Sequence, residues 1–261
     1  MRKKVLITGA SSGIGAAFAQ IAANSGNDIV LVARRRDKLE SLATRLSKEY
    51  SIKAKVIVSD LNLPGEPEKI WSEATNLFGS IDVLINNAGF GDFGELAKTD
   101  SDKNQSMIHL NCTVLTELAR LASVTMSEQG QGYICNVASI AGFSPGPYMA
   151  AYYATKAYVL SFSQAIGEEL RSKNISVSAL CPGATRTEFE DHAKMTGKGI
   201  FDSKRKLPEA LEVAQVGWDA MLAGRPVAIF GLKNRLGISL MRFLPLKLKT
   251  RVAAKVQQQA L

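Results

Sequence analysis

Tyr152-Tyr153-Ala154-Thr155-Lys156 sets a phenol and an ammonium four residues apart, a spacing that puts both on one face of a helix. An unperturbed phenol titrates near ~10, and a nearby cation favours its ionised form. Tyr152 could then pass a proton to or from a carbonyl or alcohol oxygen close to neutral pH. Ser139 follows the apolar stretch Tyr133–Val137 and could hydrogen-bond the same oxygen. Tyr153 doubles the aromatic, but only Tyr152 has a lysine four residues on. Each feature alone has an ordinary explanation: Tyr–Lys pairs are frequent on helices, and a serine after a strand is commonly a turn or cap.

A second chemistry is written near the start. Thr8-Gly9-Ala10-Ser11-Ser12-Gly13-Ile14-Gly15 joins an apolar run, Val5–Ile7, to residues of helical period. Glycines there let the backbone turn sharply and approach a pyrophosphate, and the helix N-terminus behind them offers free N–H groups and a positive dipole end. The next strand, Ile29–Val32, runs into Arg34-Arg35-Arg36, where an acid would instead accept hydrogen bonds from a ribose 2′-hydroxyl. Guanidinium pairs with phosphate, so Arg34 above all, with Arg35, points to a 2′-phosphate and to NADP(H) in preference to NAD(H).

These residues need a frame. Val56–Val58, Val83–Ile85, Tyr133–Val137, Ile175–Leu180 and Val227–Phe230 are further short apolar runs, separated by helical periods such as Ile70–Phe78, Ser101–Glu128, Ala151–Ser172 and Glu209–Leu222. Continuous apolar strands alternating with helices predict a parallel sheet covered on both faces, hence one doubly wound α/β domain of Rossmann type. That domain spans residues 1–231, with a substrate lid at about 188–207 and a basic appendix at 232–261.

With the frame in place, the residues resemble the short-chain dehydrogenase/reductase family from residue 1 to about 230. The matching features are Thr8-Gly-x-x-x-Gly13-x-Gly15, Asp60-Leu61, Asn86-Asn87-Ala88-Gly89, Asn111, Ser139, Tyr152-x-x-x-Lys156, and Pro182-Gly183 followed by Thr187. The resemblance implies that Tyr152 is the general acid in reduction, that Lys156 lowers its pKa and holds the nicotinamide ribose, and that Ser139 orients the substrate carbonyl. It implies that Asn111 completes a tetrad by distorting its helix and holding a relay water. Asp60 and Leu61 would approach the adenine, with Asn87, Ala88 and Gly89 along the adenosine side and Asn86 bracing the sheet. Pro182, Gly183 and Thr187 would cradle the nicotinamide. The resemblance further implies a homodimer or homotetramer through the helices 101–128 and 151–172. The departure is in the glycine loop, where Ser11 and Ser12 stand in positions that NADP-preferring members often give to a basic residue. A non-catalytic dinucleotide sensor or scaffold is the rival reading; it would be expected to have lost the tyrosine or the lysine.

Three segments border the substrate in that family, and here they carry Phe90, Phe93, Phe143, Tyr148, Met149 and Phe189. The first two contain no lysine or arginine, which predicts a small-molecule hydrophobic carbonyl or alcohol. His109 and His192 have no companions at metal-ligand spacing, so no metal is expected.

The 261 residues are 46% hydrophobic and 21% charged, an ordinary globular composition. After Asp219 come Arg225, Lys233, Arg235, Arg242, Lys247, Lys249, Arg251 and Lys255 with no acid, and they account for the whole net charge of +8. A neutral body speaks against nucleic-acid binding. The basic tail, broken at Pro245 and striped with Leu248, Val252 and Val256, suits peripheral contact with an anionic membrane; a helix packed on its own domain or a subunit interface are the alternatives. The apolar run at the start stops after three residues, so no export is expected, and Cys112, Cys135 and Cys181 read as free thiols of a reducing, cytoplasmic setting.

Overall fold

A computed structural model describes residues 2–193, 195, 201, 206–241 and 243–258. Much of the expected lid at 188–207 therefore lies outside the described residues. The first half of the chain is β1 (Lys4–Thr8), α1 (Gly13–Asn24), β2 (Asp28–Ala33), α2 (Arg36–Tyr50), β3 (Ala54–Val58), α3 (Glu66–Phe78) and β4 (Val83–Asn86). There follow α4 (Ser101–Ile108), a π-helical segment (His109–Val114), α5 (Leu115–Gln129), β5 (Gly132–Val137) and α6 (Ala150–Leu170). The chain continues with β6 (Ile175–Cys181), α7 (Phe189–His192), α8 (Ala210–Leu222), β7 (Val227–Ile229), α9 (Leu232–Met241) and α10 (Leu246–Gln258).

All strands pair in parallel, in the order β3-β2-β1-β4-β5-β6-β7. The doubly wound Rossmann-type fold expected from the strand–helix alternation is present. Successive residues of the central strands serve opposite layers. Val5 and Ile7 pack with Phe18, Leu39 and Trp218 on one face, while Leu6 packs with Ile70, Leu118 and Met126 on the other. Hydrophobicity on both faces is why these strands read as continuous apolar runs.

The sheet grows outward in two directions from β1 and β4, and a crevice opens between the loops after these strands. Thr8 seals its floor. Its hydroxyl oxygen accepts from the backbone N–H groups of Asn87 and Ala88, both at 3.0 Å, and its O–H donates to Ile85 O at 3.4 Å. Asn87 Nδ2 returns the tie by donating to Thr8 O at 2.9 Å. One helix contact depends on a missing side chain: a Cβ on Gly217 of α8 would lie 2.8 Å from Leu180 Cδ2 and 2.9 Å from Phe18 Cζ.

Candidate active site

Tyr152 and Lys156 share the buried face of α6 and are 9% and 6% exposed. Lys156 Nζ donates to the Val137 carbonyl at the end of β5, at 2.8 Å, and lies 5.8 Å from the centre of the Tyr152 ring. Ser139 caps the next turn, its Oγ accepting from Ala141 N at 3.1 Å and donating to Pro182 O at 3.4 Å. Burial pushes the Tyr152 phenol above its ordinary range, although the Ser139 hydroxyl within hydrogen-bonding reach works against it. Burial also pulls Lys156 down to about 8. The ammonium is turned to a carbonyl, and the loss of water disfavours the charged form of both groups.

Asn111 sits in the π-helical segment between α4 and α5 and is 1% exposed. Its Oδ1 accepts from Phe90 N at 3.2 Å, while its Nδ2 donates to Phe90 O at 2.9 Å and to Thr155 Oγ1 at 3.1 Å. The helix distortion expected of this residue is there. Asn111 does not itself border the cleft; it fixes the Phe90 backbone to α6.

The cleft of about 680 Å³ runs from these groups across the carboxyl ends of β1 and β4. Gly9, Ser11, Ser12, Gly13 and Ile14 line it, as do Arg34, Arg35, Asp60, Leu61, Asn87, Ala88, Gly89, Pro182, Gly183 and Thr187. Gly15 does not: a Cβ there would strike the Gly9 carbonyl, so this glycine packs α1 against the loop. Gly9 has φ +65° and would place a Cβ 2.7 Å from Asn87 Nδ2. The cradle thus exposes backbone where a phosphate needs it.

Arg35, more than Arg34, is committed to that cradle. Arg34 is exposed, whereas Arg35 donates to Ser11 Oγ at 2.9 Å and to Ser12 Oγ at 2.9 Å. A carboxylate already sits on this cluster: Glu188 lies 2.7 Å from Arg35 Nη1 and 2.6 Å from Lys38 Nζ. These donors, Lys38 first, hold Glu188 down to about 2. Neither Lys38 nor Glu188 had been singled out from the sequence. Another overlooked group is Asn62, whose buried Oδ1 has no partner and which lines the cleft beside Asp60. An orphaned acceptor near the expected adenine, glycines whose side chains would fill the cradle, and cations gathered on an anion together fit a dinucleotide phosphate.

At the other end Phe90, Met149 and Phe189 line the cleft with Tyr152. The Phe189 ring centre is 5.3 Å from that of Tyr152, and Phe201 packs behind it at 6.3 Å. Three expected substrate residues fall elsewhere. Phe143 ends the turn Ile140–Phe143 and packs with Leu115, Val159 and Leu160. Phe93 is spent on the cluster containing Met107 and Met149, and Tyr148 pairs with Phe93 at 6.3 Å beside a separate, smaller hollow. The sequence reading also missed Val256 and Gln257 of α10, which border the cleft. Among the described residues no group of His, Cys, Asp and Glu could hold a metal ion, and no helix is long and apolar enough to cross a membrane.

Residues 3–196 match the short chain dehydrogenase family model. The chain belongs to the short-chain dehydrogenase family. This is a family of oxidoreductases. The very-long-chain 3-oxoacyl-CoA reductase of Anas platyrhynchos is 34% identical over 222 residues, 81% of this chain and 67% of that protein. A short-chain dehydrogenase from Sphingobium yanoikuyae, solved in complex with NADPH, superposes with a TM-score of 0.82 at 33% identity, over 93% of this chain and 96% of that one. The bulky-bulky ketone specific alcohol dehydrogenase from Comamonas testosteroni superposes with a TM-score of 0.78 at 31% identity, over 93% and 99%.

Proposed function

We propose that this short-chain dehydrogenase transfers hydride between NADP(H) and a bulky hydrophobic carbonyl or alcohol, with Tyr152 as general acid and base. One observation carries the reading: a buried phenol and a serine hydroxyl share one end of a cleft whose other end gathers Arg35, Lys38 and two serines around a carboxylate. When bound, the nicotinamide supplies or accepts the hydride. Ser139 and the Tyr152 hydroxyl orient the carbonyl oxygen, and Tyr152 gives it a proton as the carbon is reduced. Lys156 holds the ribose and restores the proton, while Asn111 positions the backbone beside them. Gly9 to Ile14 carry the pyrophosphate, Arg35 with Lys38 takes the 2′-phosphate, and Asp60, Leu61 and Asn62 meet the adenine.

Phe90, Phe189 and Met149 make the substrate end apolar, which favours a bulky ketone or a long acyl chain over a small acid. The relatives that reduce a 3-oxoacyl-CoA or act on bulky ketones agree with that class. Exposed Ile108, Val124 and Tyr158 on α4, α5 and α6 support a homo-oligomer through those helices, and three free thiols support a cytoplasmic setting. Residues 1–231 act as the catalytic body. The reading is tested by following NADPH oxidation against bulky aryl ketones, 3-oxoacyl thioesters and short oxo-acids, with NADH alongside. Turnover of the first two with NADPH is expected; turnover of oxo-acids with NADH alone would contradict it.

A further inference from the structure

The outer surface of α9 and α10 has no role in hydride transfer, yet its composition is unlike the rest of the molecule. Leu232, Leu236 and Leu240 form one stripe at four-residue spacing, exposed to 70%, 56% and 70%. Phe243 follows at 87%, and Leu248 and Val252 continue the apolar line along α10 at 44% each. Lys247, Lys249, Arg251 and Lys255 flank that line, and no acid occurs anywhere after Asp219. The opposite side of α10 faces the body. Gln257 is 2% exposed and donates from Nε2 to Tyr153 Oη at 2.8 Å, and Gln258 donates likewise to Tyr148 Oη at 3.0 Å. Val256, next on that apolar line at 41%, borders the cleft together with Gln257, so the line on α10 ends at the cleft's rim.

We propose that α9 and α10 dock this face on an anionic lipid bilayer, which sets the substrate mouth of the cleft beside the lipid. Charge chooses the occupant. A second copy meeting this face symmetrically would set cations against cations, with no acid in the segment to pair with them. A nucleic acid would satisfy the cations and leave Phe243 and Leu240 in water. A bilayer with anionic headgroups satisfies both sets at once, because apolar side chains enter the acyl boundary while lysines and arginines stay among the phosphates. Docking requires nothing of the cofactor or the carbonyl, so it stands or falls apart from the reductase reading.

The experiment is co-sedimentation of the full chain with vesicles of phosphatidylcholine alone, or mixed with phosphatidylglycerol, at physiological salt. Binding to the mixed vesicles and not to phosphatidylcholine alone is expected. The double variant Phe243→Ser/Leu248→Ser should bind about tenfold more weakly, with its folding verified by thermal unfolding. Absence of binding to the mixed vesicles overturns the proposal. So does binding that the double variant leaves unchanged, since charge alone would then account for it. Light scattering supplies the remaining contrast: a dimer that the double variant dissolves, with no vesicle binding, would assign the face to a second copy.

Discussion

Lys156 shows how burial and function oppose each other at a single residue. Its folded pKa of about 8 lies below the usual lysine value of 10.5. The unfolded chain thus binds the proton more tightly than the folded one. The penalty is present in full below about pH 8 and disappears as pH rises through the unfolded pKa. Relative to a Lys156→Met variant, the wild type should gain about 2 kcal/mol of unfolding free energy between pH 8 and pH 10. Urea unfolding of both proteins across that range measures it, and parallel curves would show that Lys156 keeps its charge at no cost. The candidate catalytic residues were legible in the sequence because several motifs occur together and in order: Tyr152 and Lys156 four apart on one helix, and Ser139 after a strand. What spacing could not supply is the partner of the Lys156 ammonium, which faces Val137 O at the end of β5.

At the scale of elements, Glu188 links the two ends of the cleft. It immediately precedes α7, bonds Arg35 and Lys38 on the phosphate side, and is followed directly by Phe189, which packs on Tyr152. Under the proposed function, a 2′-phosphate would compete with this carboxylate for the same cations. The ion pairs are partly exposed, so the competition is weak, on the order of 0.5–1 kcal/mol. Glu188→Gln should therefore raise NADPH affinity roughly two- to fivefold and leave NADH affinity unchanged, as read by nicotinamide fluorescence titration. Arg35→Ala should lower NADPH affinity at least about tenfold with little effect on NADH. Equal losses for both cofactors would show that Arg35 merely braces the loop. Strand and helix positions were readable because each strand is a short apolar run between turn residues. Which of the arginines bonds the serines of the loop was not, since Arg34 and Arg35 both line the cleft and differ only in the direction the chain takes as α2 begins.

Over the whole molecule, the strand order creates the crevice between β1 and β4, and the two helical layers hold those strands rigidly. A close helix-to-sheet approach is at Gly217, where any side chain meets Leu180 and Phe18. Gly217→Val should cost about 1–3 kcal/mol and lower the Tm without altering the cofactor preference of the protein that remains folded. A Tm equal to that of the wild type would mean that α8 can shift freely. Topology was legible from the alternation of strands and helices with right-handed crossovers. The path of the tail was not, because Gln257 meets Tyr153 across more than a hundred residues and no periodicity reports such a contact.

The central claim is that Tyr152 delivers the proton in an NADPH-dependent carbonyl reduction. It is tested most directly by comparing kcat/KM of the wild type and Tyr152→Phe on a bulky ketone, with NADPH binding measured on both. A loss of roughly 10²–10⁴-fold with cofactor affinity preserved is predicted. A variant that still turns over at a wild-type rate would contradict the account.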